Sequence, residues 1–388
     1  MTGVLTGSGG PQRLAMAVML GAAILLSMMQ ASAGQPSPVV LALLTVALVL
    51  AFAADASRAR AGPGRAPAQA GLRWMPAVFL VLIWGNLAGA GIGLMQVERG
   101  AGTPAFWSAV IATWLGAWMV VAQLSDLRLR QHWAERLRGL LAPLAFGITL
   151  LWLWQAGVRG GGVATVILPA PSDIAARFAA STGVLWGDFV QTFVKGALSG
   201  YAIGVGAALV FAVIVDRSDF LRRGLLPVGN FVAALPIIGT APIMVMWFGF
   251  GWESKAAVVV AMVFFPMLVN TVQGLAASEA MQRDLMRTYS ASYWQSLFKL
   301  RLPAAMPFVF NGLKICSTLA LIGAIVAEFF GSPTRGMGFR ISTEVGRLNL
   351  DMVWSEIAVA AVAGSAFYGI LALLERGVTF WHPSQRGR

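Results

Sequence analysis

Residues able to do chemistry are sparse in this 388-residue chain, and their placement excludes most reactions. The one cysteine, Cys316, lies inside an apolar stretch, so neither an intrachain disulfide nor a thiolate metal cluster can be assembled. The two histidines, His132 and His382, each sit beside Trp in a basic segment and are too few for a histidine metal site. No catalytic triad or paired-carboxylate site emerges. No G-x-x-x-x-G-K-[ST] motif occurs, nor any Gly-Lys pair, so the chain has no phosphate-cradling loop of its own. These residues make no enzyme and call for no metal or cofactor. The chemistry left is electrostatic, carried by a few charges set in apolar surroundings.

Lys314 is the deepest of these. It falls about nine residues into its apolar run, roughly 14 Å at 1.5 Å per residue, which is deep for an unpaired cation. Either it snorkels toward water and packs, or it lines a pathway where it would attract anions. Lys195, near the end of another run, reads as snorkelling. Glu328 closes the run that holds Lys314, a position that suits a solvated cap or a contact with an external protein better than a deep ligand.

A second signal is the stretch ASEAMQRDLMRTYSASYWQSLFKLRLPA at residues 277–304. It is far less apolar than its neighbours, yet its composition is helical. Leu285, Tyr289 and either Trp294 or Leu297 can form one apolar stripe, while Arg283, Asp284 and Arg287 stay polar. Pro303 and Pro307 suit the start of the next helix, where a missing N–H costs little. A short amphipathic helix presented from a membrane domain is a docking element.

The elements that must position these residues are membrane helices. Hydrophobic residues make up 58% of the chain and charged residues 11%, against roughly 25% charged in soluble domains. Disorder is excluded by the same composition. Ten apolar runs read as helices: 14–33, 38–54, 74–95, 105–124, 139–158, 192–215, 225–248, 256–276, 305–327 and 354–374. Most can cross about 30 Å of hydrocarbon, 38–54 being the shortest. The fold class is therefore an all-α polytopic membrane protein with about ten transmembrane helices.

Charge sets the orientation, because cytoplasmic loops carry an excess of Lys and Arg. Alternate segments, beginning with 1–13 and ending with 375–388, hold 19 of the 28 Lys and Arg; the intervening segments hold 7. Both termini are expected in the cytoplasm. The net charge of +12 is thus topological: it faces an anionic inner leaflet, and nucleic acid is not an expected partner. Ala31-Ser32-Ala33 also admits a cleaved signal peptide, but a 20-residue run exceeds the usual signal core and favours retention.

The basic segments 55–73 and 125–138 are the two possible module boundaries. The second is preferred, giving an N-terminal extension of about four helices, 1–130, and a six-helix core, 131–388. No internal repeat is evident, which disfavours repeat-built secondary transporters. Gly85, Gly89 and Gly93, and again Gly196, Gly200 and Gly204, give small-xxx-small faces for close helix packing. The segment LPAPSDIAARFAAS reads as an external interfacial helix that Ser172 or Asp173 can cap. Trp74, Trp186 and Trp354 fit interfacial belts.

At the docking stretch the chain resembles the permeases of bacterial binding-protein-dependent ABC importers, in the branch for nitrate, sulfonate and taurine. Their cytoplasmic motif is E-x-A, three residues, Gly, then a hydrophobic-Leu-Pro some twelve residues later. Here the spacing is kept by Asp284-Leu285-Met286-Arg287-Thr288-Tyr289-Ser290 and Arg301-Leu302-Pro303, with Asp for Glu, Met for Ala and Ser for Gly. Gly312-Leu313-Lys314, Ala327-Glu328, Gly336-Met337-Gly338 and the LPAPSD segment match further features, all within about 139–380.

The resemblance implies a type I importer-like core working as a dimer of permeases. A coupling helix near 283–291 would insert in a cytoplasmic ABC ATPase dimer, which binds the ATP that this chain does not. An external solute-binding protein would deliver the cargo, an oxyanion or sulfonate, or a vitamin precursor such as a pyrimidine or flavin. It implies ATPase-coupling roles for Asp284, Leu285, Met286, Arg287, Tyr289, Ser290, Leu302 and Pro303, with Lys314 and Glu328 as pathway candidates. Where relatives carry Gly, Ser290 is expected to adopt a helical or capping conformation. Two rivals stay open: an ion-coupled secondary transporter, for which only Lys314 lies near mid-membrane, and a non-transporting scaffold.

Overall fold

The computed structural model describes residues 132–381 except 234–235 and 332–334, together with isolated positions between 99 and 118. The expected spans 14–33, 38–54 and 74–95, the signal-peptide alternative, Trp74 and the Gly85 face lie outside the described residues.

Among the described residues every regular element is a helix: α1 His132–Gly160, α2 Pro171–Ala180, α3 Thr182–Phe189, α4 Ser199–Arg217, α5 Asp219–Ala233, α6 Ile237–Phe248, α7 Trp252–Ala276, α8 Ala280–Thr288, α9 Tyr293–Ser296, α10 Leu302–Gly331, α11 Met337–Gly346 and α12 Leu350–Val378. Two π-helical stretches, Val190–Leu198 and Leu297–Arg301, join α3 to α4 and α9 to α10 without a break. Helix is what lipid demands, since backbone N–H and C=O groups must be satisfied within the segment.

Five segments are long and apolar enough to span a membrane: Gly139–Gly160, Thr182–Arg217, Trp252–Ala276, Tyr293–Gly331 and Leu350–Val378. Each contains one expected run and extends it. The run 225–248 differs: it is divided into α5 and α6, with Pro236 at the junction in an extended conformation. Proline lacks the N–H that would continue the ladder and disfavours helix in the residue before it. Pro303 has the opposite outcome. It is the second residue of α10, directly after the π-helical stretch, whose wider turn already interrupts the i→i−4 pattern, so rotation continues from Tyr293 to Gly331.

The chain divides into two compact units at the Asp173–Ile174 junction. In the first, Asp173 accepts from Arg99 at 2.5 Å and Arg159 at 2.8 Å. The Asp173 carboxylate also takes the Ala170 backbone N–H at 3.2 Å, acting at the start of α2, which has no buried residue.

The second unit is organised around α7, α10 and α4. Val259, Val263, Met267, Leu268, Val272 and Leu275 of α7 meet Ala305, Val309, Cys316, Ala320 and Ala324 of α10. Tyr201, Val205, Ala208, Ala212 and Val215 of α4 complete the cluster at a spacing of three or four residues. The facing positions on α10 are small, so backbones approach closely where lipid supplies no hydrophobic drive. The opposite faces are apolar and exposed, as with Val210 and Phe211 on α4 and Val362 and Leu373 on α12.

Candidate functional site

Within the stretch expected to dock, Ala280–Thr288 folds as α8, which buries none of its residues. Met281, Leu285 and Tyr289 are exposed apolar groups on it, and Asp284 pairs with Arg287 at 3.4 Å on the open surface, where such a pair is worth little. Met286 is half-buried. The alternative between Trp294 and Leu297 is resolved by burial. Leu297 is 2% exposed and belongs to the core, whereas Trp294 is 51% exposed and stacks on Phe298. Leu285 and Tyr289 before the turn and Trp294 and Phe298 after it are therefore exposed, but the single stripe expected from the sequence is broken, because α8 stops at Thr288 and α9 begins at Tyr293.

Of the two expected alternatives, helical or capping, Ser290 takes the capping one. Its φ is 52°, in the left-handed region. The Ala291 N–H donates to Met286 O at 3.0 Å and the Ser290 N–H to Arg287 O at 2.9 Å, the paired bonds of a Schellman ending. Ser290 thus occupies, at a cost, the conformation that glycine takes freely. Immediately after it, Ser292 and Gln295 form a capping box that starts α9.

The base of this segment is held by residues that sequence reasoning missed. Asp216, at the end of α4, accepts from Arg301 Nη1 at 2.7 Å, Arg301 Nη2 at 2.5 Å and the Tyr293 hydroxyl at 3.0 Å. Asp216 and Arg301 are 85 positions apart, so no local pattern announces the pair.

Lys314 and Glu328 both lie on α10, 14 residues apart, about 21 Å along the axis, so they do not share a site. Lys314 is not the unpaired cation of the sequence reading: its ammonium reaches Glu375 of α12 at 2.7 Å. Lys195 is exposed, in the first π-helical stretch. Glu328 corrects its reading as a solvated cap, for it is 1% exposed. Its Oε2 accepts from the Thr192 hydroxyl at 2.7 Å and the Gly338 N–H at 2.9 Å.

The cause is the start of α11, whose first N–H groups have no partner within the helix. Three buried side chains satisfy them: Asp188 takes Gly336 N–H, Thr192 takes Met337 N–H and Glu328 takes Gly338 N–H. Gly336, with φ 129°, is needed there because a Cβ would run into the Glu328 carboxylate. Arg340 braces Asp188 at 2.8 Å, and the buried Lys255 donates to the carbonyls of Phe250, Gly251 and Gly331. Buried charges arranged in this way tie helices together.

Comparison with known proteins places this geometry in context. Residues 200–380 match the family described as "Binding-protein-dependent transport system inner membrane component". The riboflavin transport system permease protein RibX of Chloroflexus aurantiacus is 32% identical over 237 residues, covering 61% of this chain and 88% of the relative. The formylaminopyrimidine transport permease protein ThiX of Halalkalibacterium halodurans is 28% identical over 249 residues, 63% of this chain and 97% of its own. The taurine transport system permease protein TauC of Escherichia coli is 25% identical over 275 residues, 68% and 98% of the two chains.

Proposed function

The chain belongs to the family of binding-protein-dependent transport system inner membrane components, and from that premise we propose how it works. It is a multi-pass inner-membrane permease of an ATP-driven importer, passing a small solute into the cytoplasm. The ATP is bound by a separate cytoplasmic ATPase dimer, and an external solute-binding protein presents the cargo. Two copies of the chain form the pore, each with 131–388 as core and 1–130 as an added membrane module. Both termini face the cytoplasm, as the distribution of Lys and Arg supports.

The observation that carries the coupling reading is the exposed apolar stripe of α8, Leu285 and Tyr289 above all, projecting beside Asp284 and Arg287. Apolar groups left in water at a membrane protein's polar end mark a protein contact. Asp284, Leu285, Met286, Arg287, Tyr289 and Ser290 form the part that enters the ATPase, and Leu302 and Pro303 join it to α10. ATP binding moves the permease only through a difference in interaction energy between its inward and outward states. Lys314 is assigned to the wall of the pathway, whereas Glu328, the other candidate, is buried and holds α10 to the start of α11.

The cargo class follows the relatives' names, which include riboflavin, formylaminopyrimidine and taurine: small polar solutes. The decisive experiment is purification of the tagged protein from its own host. An ATPase and a soluble receptor should accompany it, with receptor-stimulated hydrolysis after reconstitution. Uptake by the chain alone under an ion gradient, without ATP, would overturn the reading.

A further inference from the structure

Both ends of the docking segment return to one point. At its start, Arg283 Nη1 donates to Ala276 O at 3.2 Å, the last residue of α7. At its far side, Arg301 spreads its guanidinium between two helices: Nη1 and Nη2 grip the carboxylate of Asp216 on α4, while Nε donates to Leu275 O on α7 at 3.1 Å. The Tyr293 hydroxyl adds a third bond to Asp216, and the Arg217 guanidinium lies 5.5 Å from the centre of the Tyr293 ring. The carbonyls of Leu275 and Ala276, at the end of α7, would otherwise lack partners, and arginines of the docking segment supply them.

We propose that Asp216 is the positioning residue through which movement of the docking helix reaches the transmembrane core. The inference rests on the importer reading above and adds to it the part that transmits the force. Asp216 is 2% exposed and Arg301 17%, so the fork is shielded from water and salt. A bidentate, charge-assisted pair resists rotation as well as separation, which a single hydrogen bond does not. A push on α8 therefore reaches α4 and α7 together, the two helices that pack with α10 around the core. Without the docking segment Asp216 would be a buried carboxylate with no counter-ion, so the joint does not open cheaply. Asn at this position keeps the shape and loses the charged fork.

The test uses the purified complex of this chain with its ATPase, comparing amide exchange with and without ATP plus vanadate. In the wild type, nucleotide changes exchange at 280–291 and also at the ends of α4 and α7. In Asp216→Asn the ATPase stays bound and basal hydrolysis persists. The change at 280–291 remains, and the change at 209–217 and 268–276 falls at least about tenfold. The swapped pair, D216R with R301D, restores at least a third of the lost response. Wild-type exchange changes in Asp216→Asn would overturn the proposal, as would loss of ATPase binding in both Asp216→Asn and the swapped pair, which marks a joint needed only for folding. If no ATPase accompanies the wild type, it is the importer reading that fails.

Discussion

Lys314 of α10 and Glu375 of α12 are joined by a 2.7 Å ion pair, with both side chains largely shielded from solvent. Removing one partner of such a pair leaves the other buried and uncompensated, whereas removing both spares that penalty. Lys314→Met is expected to destabilise the protein by roughly 3 kcal/mol. The double variant K314M with E375M should regain most of that, read as thermal unfolding in detergent. If Lys314 also attracts anions in the pathway, the double variant recovers its fold and still takes up an anionic solute poorly. Full uptake by the double variant would limit Lys314 to packing.

The three glycines at the start of the α4 span are not equivalent. A Cβ on Gly200 would stand 2.5 Å from Val259 Cβ and 2.8 Å from Ala256 O, and one on Gly204 would stand 2.5 Å from Val263 Cγ2. At Gly196 the nearest atoms, Ala324 Cβ and Lys255 Cβ, are 3.5 Å away, ordinary contact. Gly200→Ala and Gly204→Ala should each cost roughly 1–3 kcal/mol by overpacking. Gly196→Ala should leave the melting temperature at or slightly above that of wild type, since the buried Cβ meets only ordinary contacts and Ala favours helix over Gly by about 0.5–1 kcal/mol. Equal losses at all three positions would contradict the helix spacing.

Ser290→Gly is expected to stabilise the end of the docking helix. A non-glycine residue in the left-handed region costs roughly 1–2 kcal/mol, partly offset in glycine by the larger entropy of its unfolded chain. A gain of about 0.5 kcal/mol should slow amide exchange across residues 286–291 by about twofold, because the Ala291 N–H is held by Met286 O. Ser290→Ala keeps the Cβ and should exchange like wild type. Faster exchange in the glycine variant would show that the serine contributes more than its backbone strain costs.

Much of the fold was legible in advance because it is local. Apolar runs of bilayer length must become helices, and those of 131–388 did so, except that 225–248 is divided near Pro236 and the spans expected from 192 and 305 begin ten or more residues earlier, at Thr182 and Tyr293. Helix α8 was legible for the same reason: its composition interrupts the apolar pattern and keeps a helical period. Pro236 was visible as a helix-breaking residue inside the run 225–248, yet a window average over that run hides it. The sequence left Trp294 and Leu297 as equal choices, since both fit one helical stripe. Only the π-helical stretch and its packing turned Leu297 inward.

Charged residues divide differently. Their number, sign and rough depth are written along the chain. Their partners are not. Glu328 meets Thr192 across 136 positions, Arg301 meets Asp216 across 85, and Lys314 meets Glu375 across 61. Such pairs obey no period, because they depend on which helices become neighbours and how each is rotated. Residue order dictated helices, a membrane and an exposed amphipathic helix, since these follow from hydropathy and spacing within some twenty residues. Which buried charge answers which was decided by packing in three dimensions, where a carboxylate withdrawn from water takes the nearest available donor however distant in the chain.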